Sequence, residues 1–572
     1  MRNNFIAIII ILFSSILVSL PLLRPGLHTI HDDQQVARLY LFDRSLKSEQ
    51  IPPRWVDELG FGFGYPLFVF YPPLVYMVGE TFHLLGFTFI DSVKLTFFLG
   101  IIGSGLAMYV FAKEFWGRLP ATVASLFYIL LPYRAIDVYV RGALAESFSF
   151  VWLPLILWSF YKLTKTRHKN YLVLSSVFLA LLMISHNLIF LPFMLILPIY
   201  LLFLIWTSEN KKLSIVNCCL SIVITLSLSA FFWIPAVFEK KYTLVDQLLL
   251  VNLANYKIHF VNPTQLWNWT WGFGGSAEGL ADGISFKIGK LHILTAIAAT
   301  ILSVTWWIKY ARSKFSTLNS QLSTLFFCLF IFSACMTTNY SKLIWDLVPQ
   351  LGYLQFPWRF LTFTGLFTAI LAGSFIFFLR LQILKLQMSI LLIVLLFSTN
   401  LKLFKPQSYR QDLNDKVATA KEVINWEVSQ SSFEYIPRGV ETFVGYLGTN
   451  LVKIEKSEIP SNKLEIIEGE AVIENISQKP SKLEFNIDAK SDSQILVNTF
   501  NFPGWQVSID GETMKISDNN RLKLITFEAN EGVHRIKVEF KNTPVRAAAN
   551  LISLFSILLI PILIKKWQIQ KF

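Results

Sequence analysis

The chain has 572 residues, of which 53% are hydrophobic and only 16% are charged. Soluble domains carry about a quarter of charged residues, and several apolar runs here reach the roughly 20 residues that cross a bilayer. These values exclude a soluble protein and predict a polytopic membrane protein. The net charge of +13 lies mostly in short loops rather than in a basic patch with interleaved aromatic residues, which argues against nucleic-acid binding.

The first apolar run, residues 5–23, is too long for a signal-peptide core and is followed by no small-residue cleavage pattern. We therefore predict an uncleaved helix with a cytoplasmic N-terminus, followed by a large outer loop over residues 24–91. The second half of this loop, residues 66–90, is apolar but is interrupted by prolines and by Glu80. We predict interfacial or re-entrant helices there rather than a span.

The later apolar runs bring the number of predicted transmembrane helices to about twelve. With this count the loops assigned to the cytoplasm are rich in Lys and Arg, as the positive-inside rule requires. One missed span would invert every later loop and destroy the agreement. The predicted spans are 5–23, 92–112, 119–133, 143–161, 171–187, 188–206, 213–238, 290–308, 322–338, 358–380, 385–401 and 548–565.

The polar region that follows the eleventh span has a different composition. Residues 402–546 hold about as many acids as bases and show alternating strand-like runs separated by turns such as Asp510-Gly511. We predict an extracytoplasmic β-sandwich, with a short helical piece near 410–430. The predicted domains are thus a transmembrane domain over 1–401, the β-sandwich over 402–546, and a final helix with a cytoplasmic tail over 547–572.

Two adjacent carboxylates, Asp32 and Asp33, open the first outer loop beside His31. Adjacent side chains point in different directions, so one could act as a base or bind a metal while the other holds the loop. The alternative is that one of them caps the amphipathic run 34–46 by accepting hydrogen bonds from free backbone amides.

Three further groups of polar residues lie at the ends of spans. Glu146 lies within a span five residues after Arg141, and an intramembrane carboxylate is either functional or paired, with Arg141 as its expected partner. His186 and Asn187 separate two apolar runs, where they could bind substrate or join neighbouring helices.

Arg359 begins the tenth span, where its guanidinium could bind phosphate or serve as an interfacial anchor. Arg54 is a weaker candidate of the same kind. Trp269 is the centre of a cluster of three alternating tryptophans in the outer segment 239–289, which suits either interfacial anchoring or contact with a sugar or lipid. Motifs for phosphate loops, dinucleotide binding, zinc sites and serine nucleophiles are missing.

An early acid in a large outer loop, many spans and an outer soluble domain together resemble the GT-C glycosyltransferase superfamily. Several motifs are also similar to bacterial membrane proteins named for a relation to 6-pyruvoyl-tetrahydropterin synthase, and the run Phe502-Pro503-Gly504-Trp505 resembles the β-domain of YfhO-like membrane proteins. The motifs of the former group are His31-Asp32, Pro53-Arg54-Trp55, Gly62-Phe63-Gly64-Tyr65-Pro66, Arg141-Gly142-Ala143-Leu144-Ala145-Glu146, Ser185-His186-Asn187 and Phe356-Pro357-Trp358-Arg359.

The pterin label is not literal, because pterin synthases are soluble and need a histidine zinc site that these scattered histidines do not supply. The GT-C resemblance implies sugar transfer from a polyprenyl-phosphate donor to a glycan, lipid or protein acceptor, on the outer face of the bacterial inner membrane. It implies that Asp32, or alternatively Asp33, acts as a base or binds a divalent cation such as Mg or Mn. The site residues predicted on this basis are Asp32, Asp33 and Glu146 for catalysis, and His31, Arg54, Arg141, His186, Asn187, Trp269 and Arg359 for substrate binding.

Two other functions fit the same sequence. One is a non-catalytic membrane protein that binds or moves lipid-linked glycans, and the other is a structural scaffold whose β-domain binds a partner.

Overall fold

The computed structural model of the chain describes residues 2–166, 168–248, 255–310, 314–444 and 450–569. Within these ranges, eleven helices are long and apolar enough to cross a membrane, and the shorter apolar helix Asn170–Ser185 lies between two of them. The predicted class, a polytopic helical membrane protein with about twelve apolar helices, is confirmed. The eleven candidate spans are Asn4–Leu23, Phe89–Trp116, Arg118–Arg141, Leu144–Thr166, Asn187–Trp206, Lys211–Leu228, Lys290–Lys309, Leu318–Met336, Pro357–Phe378, Gln382–Leu403 and Pro544–Pro561.

The third candidate span extends further than the sequence indicated. It consists of the helix Arg118–Ile129, the short helix Pro132–Ile136 and the π-helical turn Asp137–Arg141, and its residues from Pro120 to Arg141 are all buried. The predicted span 119–133 therefore ends too early, and residues 134–141 belong to the helix bundle rather than to a loop. Charged residues of this segment lie inside the helix bundle because Asp137 and Arg141 pair with each other rather than with water.

The first outer loop forms short helices. Gln35–Lys47 is amphipathic, and the interrupted apolar stretch contains Leu67–Phe70 and Leu74–Leu84. The longest helix of that stretch has 11 residues, about half of what a span requires. The expectation that residues 66–90 do not form a span is confirmed. Other short helices described in the chain are Ala230–Glu239, Val245–Leu248, Pro263–Trp267 and Lys342–Leu347.

The strands of the C-terminal region form two antiparallel sheets between Leu464 and Phe540. The strands are β1 Leu464–Glu468, β2 Ala471–Lys479, β3 Lys482–Ala489, β4 Ser493–Phe500, β5 Trp505–Ile509, β6 Glu512–Met514, β7 Leu524–Ala529 and β8 Gly532–Phe540. The five-stranded sheet has the order β6-β5-β8-β3-β2, and the three-stranded sheet has the order β7-β4-β1. Buried and half-buried residues alternate along β3, as expected for a sheet with one face on a core.

The segment between the helix bundle and these sheets contains short helical pieces and contacts the first outer loop. It contains Asp415–Ala418 and the π-helical turn Val423–Val428, which confirms the predicted helical piece near 410–430. A two-residue ladder pairs Leu27–His28 with Tyr409–Arg410.

Further along the same loop, the amide of Phe61 donates to Ser429 Oγ at 3.1 Å, and the amide of Phe500 donates to the carbonyl of Phe63 at 2.9 Å. The first outer loop is thus a layer between the helix bundle and the β region.

Candidate functional site

Four charged side chains meet inside the bundle, and we call Asp137, Arg141, Glu146 and Arg359 the arginine–carboxylate cluster. Arg141 Nη1 donates to Asp137 Oδ1 at 2.6 Å and to Glu146 Oε2 at 2.8 Å. Arg359 Nε lies 3.7 Å from the same Glu146 oxygen, and both carboxylates have fully buried side chains. The predicted pairing of Arg141 with Glu146 is confirmed, and a second arginine joins it.

Backbone geometry brings these charges together from separate helices. Gly142 ends the π-helical turn in the left-handed conformation, with φ of +69°, and the chain then reverses into the helix Leu144–Ser149 that carries Glu146. Arg359 lies in the 3₁₀ turn Pro357–Phe360 that begins another candidate span. π-Helical turns occur frequently at functional sites because they alter the direction of side chains.

Two neutral hydroxyl groups complete the surroundings of Glu146. Tyr133 donates to Glu146 Oε1 at 2.7 Å, and Thr362 Oγ1 donates to the same oxygen at 3.2 Å. The guanidinium of Arg141 also lies over the Trp358 ring, 4.5 Å from its centroid. Both carboxylate oxygens of Glu146 therefore have hydrogen-bond or ion-pair partners. Such an environment is typical of a side chain that holds its neighbours in position.

Arg359 is different, because it is buried and incompletely paired. Its side chain is only 9% exposed, and within the described residues its Nε and Nη1 have no hydrogen-bond partner. His186 Nδ1 and Asp137 Oδ2 are also buried without such a partner in those ranges. Buried polar atoms are nearly always hydrogen-bonded, so unmatched donors on a buried guanidinium indicate a place for an external acceptor.

The first outer loop lies directly along the end of the third candidate span. His28 Nε2 hydrogen bonds to the carbonyl of Val138 at 2.9 Å, and the amide of His31 donates to the carbonyl of Val140 at 3.0 Å. The amide of Asp32 donates to the carbonyl of Arg141 at 2.7 Å. The Asp32 carboxylate interacts electrostatically with both Arg141 and Arg359. Asp32 is thus held at the edge of the cluster.

The alternative role for the two aspartates, a helix cap, is wrong. The helix begins at Gln35, and its N-cap residue is Gln34. The Gln34 side chain accepts no hydrogen bond from the amides of the first helical turn. Asp32 and Asp33 precede the cap position, so their carboxylates cannot occupy the N-cap place. Asp32 is half-buried and Asp33 is exposed, so Asp32 is the less accessible of the two.

Some of the remaining predicted residues lie near the arginine–carboxylate cluster, and others lie elsewhere in the molecule. His186 is buried and interacts electrostatically with Glu146, and Asn187 begins the helix that follows it. The His31 ring nitrogen Nε2 lies 2.9 Å from the carbonyl of Phe273, which brings the outer segment 239–289 over the loop. Trp269 donates its indole N–H to the carbonyl of Asp282 at 3.3 Å, a contact within that segment.

Arg54 contacts a different part of the molecule. Its Nη2 donates to the carbonyl of Phe231 at 2.7 Å and to Asn550 Oδ1 at 3.0 Å, which joins the first loop to the final helix. Burial lowers the pKa of Arg54 to about 9, with the nearby Arg546 acting in the same direction and Glu239 opposing them. These contacts give Arg54 a structural position rather than one in the arginine–carboxylate cluster.

Three residues of the site were not among those predicted from the sequence. Asp137 stands four residues before Arg141, a spacing that brings opposite charges together on a helix and could have indicated the pair. Tyr133 and Thr362 approach Glu146 through tertiary packing, and no local pattern marks them.

A protein-only metal site is not found among the described residues, which contain no group of three or more His, Cys, Asp or Glu side chains able to hold an ion. Asp32 nonetheless offers a carboxylate beside the arginines. Mg²⁺ is usually held by one or two carboxylates together with substrate phosphates. The residues present therefore fit a cation that arrives with a phosphorylated substrate.

Two comparisons with known proteins found partial matches. An uncharacterized protein of Lactococcus lactis subsp. cremoris (strain MG1363) is 27% identical over 246 residues, 41% of this chain and 40% of that protein. The arabinofuranosyltransferase AftD from Mycobacteria (mutant R1389S) is similar in structure with a TM-score of 0.44 and 14% identity, over 72% of this chain and 29% of AftD. The chain thus spans less than half the length of either protein, and the structural likeness is too weak to carry a conclusion.

The family model described as a 6-pyruvoyl-tetrahydropterin synthase related domain, a membrane protein, matches residues 68–405. The matched range includes Arg141, Glu146, His186 and Arg359, which come from motifs that resembled this family in the sequence. The chain therefore belongs to the 6-pyruvoyl-tetrahydropterin synthase related family of membrane proteins.

Proposed function

We propose that this protein is a membrane glycosyltransferase that uses a sugar donor linked to polyprenyl phosphate. In this proposal Arg359, together with Arg141, binds the donor phosphate, and Asp32 is the general base. The observation that carries it is the buried Arg359 guanidinium, whose Nε and Nη1 have no hydrogen-bond partner in the described parts of the chain. Arginine forks match phosphate oxygens in geometry and charge.

The proposed reaction is a displacement at the anomeric carbon of the donor. The Asp32 carboxylate removes the proton from an acceptor hydroxyl, and the hydroxyl oxygen forms a bond to the anomeric carbon. The bond between that carbon and the phosphate oxygen breaks, and its electron pair stays on the released polyprenyl phosphate. The additional negative charge develops next to Arg359 and Arg141, whose fixed positive charges stabilise it in a site shielded from water.

Glu146 and Asp137 act as positioning residues in this proposal. Glu146 holds Arg141 through Oε2 and lies within 3.7 Å of Arg359 Nε, while Asp137 holds Arg141 from the preceding turn. Two buried arginines without these acids would carry an uncompensated charge at great cost. The sequence placed Glu146 among the catalytic residues, and its saturated hydrogen bonding supports the positioning role instead.

A divalent cation fits the proposal as an accessory to the donor. Asp32 would hold it together with the donor phosphate, and it would neutralise phosphate charge when bound. Loss of donor binding on chelation with EDTA, restored by Mg²⁺ or Mn²⁺, is the expected result if the cation takes part.

The acceptor, a glycan, lipid or protein, would enter from the side of the loop. The contact between His31 and the carbonyl of Phe273 supports this direction, because it brings the tryptophan-containing outer segment next to Asp32. We place the reaction on the outer face of the bacterial inner membrane, with both termini in the cytoplasm, as the Lys and Arg content of the short loops indicates.

The decisive experiment compares three chromosomal variants in the organism that encodes the protein. Asp32→Asn should remove a sugar unit from an envelope glycan, measured by mass spectrometry of isolated envelope material, while protein level and thermal stability stay normal. Arg359→Gln should have the same effect and should also weaken binding of polyprenyl phosphate by the purified protein, measured by native mass spectrometry. Asp33→Asn serves as the matched control. An unchanged glycan profile in Asp32→Asn would refute the enzyme assignment.

The second candidate function is a non-catalytic protein that binds or moves lipid-linked glycans. It is favoured by the balance of charge in the arginine–carboxylate cluster, where two arginines pair with two carboxylates. It shares the phosphate site but needs no base. Polyprenyl-phosphate binding that is lost in Arg359→Gln, together with a normal glycan profile in Asp32→Asn, would favour this function.

A further inference from the structure

A large cavity lies between the β region and the end of a membrane helix, apart from the arginine–carboxylate cluster. It has a volume of about 630 Å³, within the range of ligand pockets. Its walls include the Phe502-Pro503-Gly504-Trp505 turn, which the proposed reaction does not use. They also include Lys241 and Tyr242, the Pro437-Arg438 turn and Lys523.

The charge of the cavity is positive. Lys241, Arg438 and Lys523 line it, against the single acid Asp518. Asp518 is already engaged, because Asn501 Nδ2 donates to its carboxylate at 3.1 Å. Lys523 reaches only a backbone oxygen, the carbonyl of Asp518, at 3.4 Å. The cavity therefore carries three cations against one carboxylate, a net charge of +2.

Backbone contacts hold the rim of the cavity in place. The amide of Arg438 donates to the carbonyl of Tyr242 at 2.8 Å, and the amide of Leu244 donates to the carbonyl of Ile436 at 3.0 Å. On the opposite wall, Gly504 has φ of +113°, and a Cβ there would lie 2.5 Å from the carbonyl oxygen of Lys541. The cations are consequently presented on a fixed frame.

The same wall is attached to the last candidate membrane span at its first turn. Arg546 lies in that turn, and its Nη2 donates to the carbonyl of Pro503 at 2.8 Å and pairs with Glu239 at 2.8 Å. Glu239 is the last residue of the helix Ala230–Glu239. Because the end of a spanning helix lies at the membrane boundary, this wall of the cavity lies next to that boundary.

Apolar side chains continue from the cavity along the two helices that meet there. Val237 and Phe238 are 55% and 57% exposed on the helix that ends at Glu239, and Leu551 is 54% exposed on the final helix. A ligand with a charged head and an apolar tail would place its head among the three cations and its tail along these side chains.

We propose that this cavity, defined by Lys241, Arg438, Lys523 and the Phe502–Trp505 turn, binds the phosphate head group of an anionic phospholipid. Basic pockets next to membrane helices bind such head groups through their phosphate. The neutral side chains of Gln506 and Thr513, which also line the cavity, supply hydrogen bonds for hydroxyl groups of the head. The bound lipid joins the β region to the membrane independently of any sugar transfer.

The test uses the full-length protein in detergent, titrated with phosphatidylglycerol and followed by native mass spectrometry. Phosphatidylcholine is the lipid comparison, and inorganic phosphate is added separately as a competitor. The test variant is Arg438→Gln combined with Lys523→Gln. The control variant, Lys416→Gln combined with Lys456→Gln, removes the same charge from exposed positions elsewhere.

We expect phosphatidylglycerol to bind the wild-type protein at least tenfold more tightly than phosphatidylcholine, and the test variant to lose this preference while the control keeps it. Equal binding of the two lipids, or equal loss in both variants, would overturn the proposal. Displacement of the lipid by millimolar phosphate alone would also overturn it, since it would identify a site for small anions. Neither lipid measurement depends on glycosyl transfer.

Discussion

The amide of Asp32 donates a hydrogen bond of 2.7 Å to the carbonyl of Arg141, so a loop carboxylate and a buried arginine are fixed to each other through the backbone. This relationship does not depend on either side chain. A substitution of the Asp32 carboxylate therefore changes chemistry without releasing the loop, which makes the site suitable for mutagenesis.

The first prediction concerns the two aspartates. Asp32→Asn should lower glycosyl transfer about 100-fold or more, because a carboxylate that accepts a proton in the transition state typically contributes that factor. Asp33→Asn should change transfer by less than about tenfold, since Asp33 is exposed. The measurement is the envelope glycan profile together with turnover of a labelled polyprenyl-phosphate sugar. Equal effects of the two substitutions would contradict the assignment of Asp32.

The second prediction concerns Glu146 and stability. Glu146→Gln leaves Arg141 and Arg359 buried without one of their partners, and breaking a buried ion pair in this way costs about 3–5 kcal/mol. We expect a clear fall in the thermal unfolding temperature of the purified protein. Thr362→Val, which removes one hydrogen bond to the same carboxylate, should cost about 1 kcal/mol. A Glu146→Gln protein as stable as the wild type would exclude the positioning role.

The third prediction concerns the close approach of the loop to Gly142. A Cβ at this position would lie 2.5 Å from Ile30 Cδ1, and the residue has φ of +69°. Gly142→Ala should therefore displace the loop, and the backbone conformation alone costs about 1–2 kcal/mol. Ile30→Ala should partly restore transfer in the double variant by giving the new methyl group room. Gly86→Ala, which has φ of +97° and open space around it, is the control for backbone strain.

The fourth prediction is a pH dependence that arises in the first loop. Burial raises the pKa of Glu58 to about 7. The nearby Asp57 carboxylate also raises this pKa, while the Arg44 guanidinium lowers it. The unfolded carboxyl has a pKa near 4.5, so between about pH 4.5 and 7 the folded protein holds a proton that the unfolded chain releases. The free energy of unfolding should therefore fall as pH rises through this window, by up to about 1.4 kcal/mol per pH unit.

The measurement for this pH effect is the unfolding temperature between pH 5 and 7 for the wild type and for Glu58→Gln, which mimics the protonated group. The slope should become smaller in Glu58→Gln. It should not vanish, because the pKa of Glu80 is also raised to about 7, by burial and by Asp43. An identical slope in both proteins would show that Glu58 does not titrate in this range.

The sequence was sufficient for the membrane class and for most spans, because apolar runs and loop charges report directly on lipid as the solvent. The interrupted stretch 66–90 was correctly excluded as a span because of its prolines. The end of the third span was misplaced, because a window of polar residues such as Arg134, Asp137 and Arg141 is typical of a loop. Only their mutual pairing and burial show that they lie inside.

The contacts of the site that are close in sequence could be predicted, and those between residues distant in sequence could not. Arg141 and Glu146 are close in sequence, so their pairing could be inferred, and the intramembrane carboxylate marked the place. Arg359 and Thr362 both lie more than 200 residues after Glu146, with a separation of 216 for Thr362. Tertiary packing alone brings these two residues to Glu146. The same distinction explains Arg54, whose motif resembled a site but whose partners Phe231 and Asn550 come from distant helices.

The pairing of Leu27–His28 with Tyr409–Arg410 has a consequence for the order in which the protein matures. The loop that carries Asp32 leaves the ribosome early, yet its partners are made hundreds of residues later; Ser429, for example, follows Phe61 by 368 positions. Until those residues are made, the loop lacks these contacts, and contacts of such long sequence separation form slowly. The position of the loop that carries Asp32 is therefore fixed only late in synthesis, once residues 409–429 have been added to the chain.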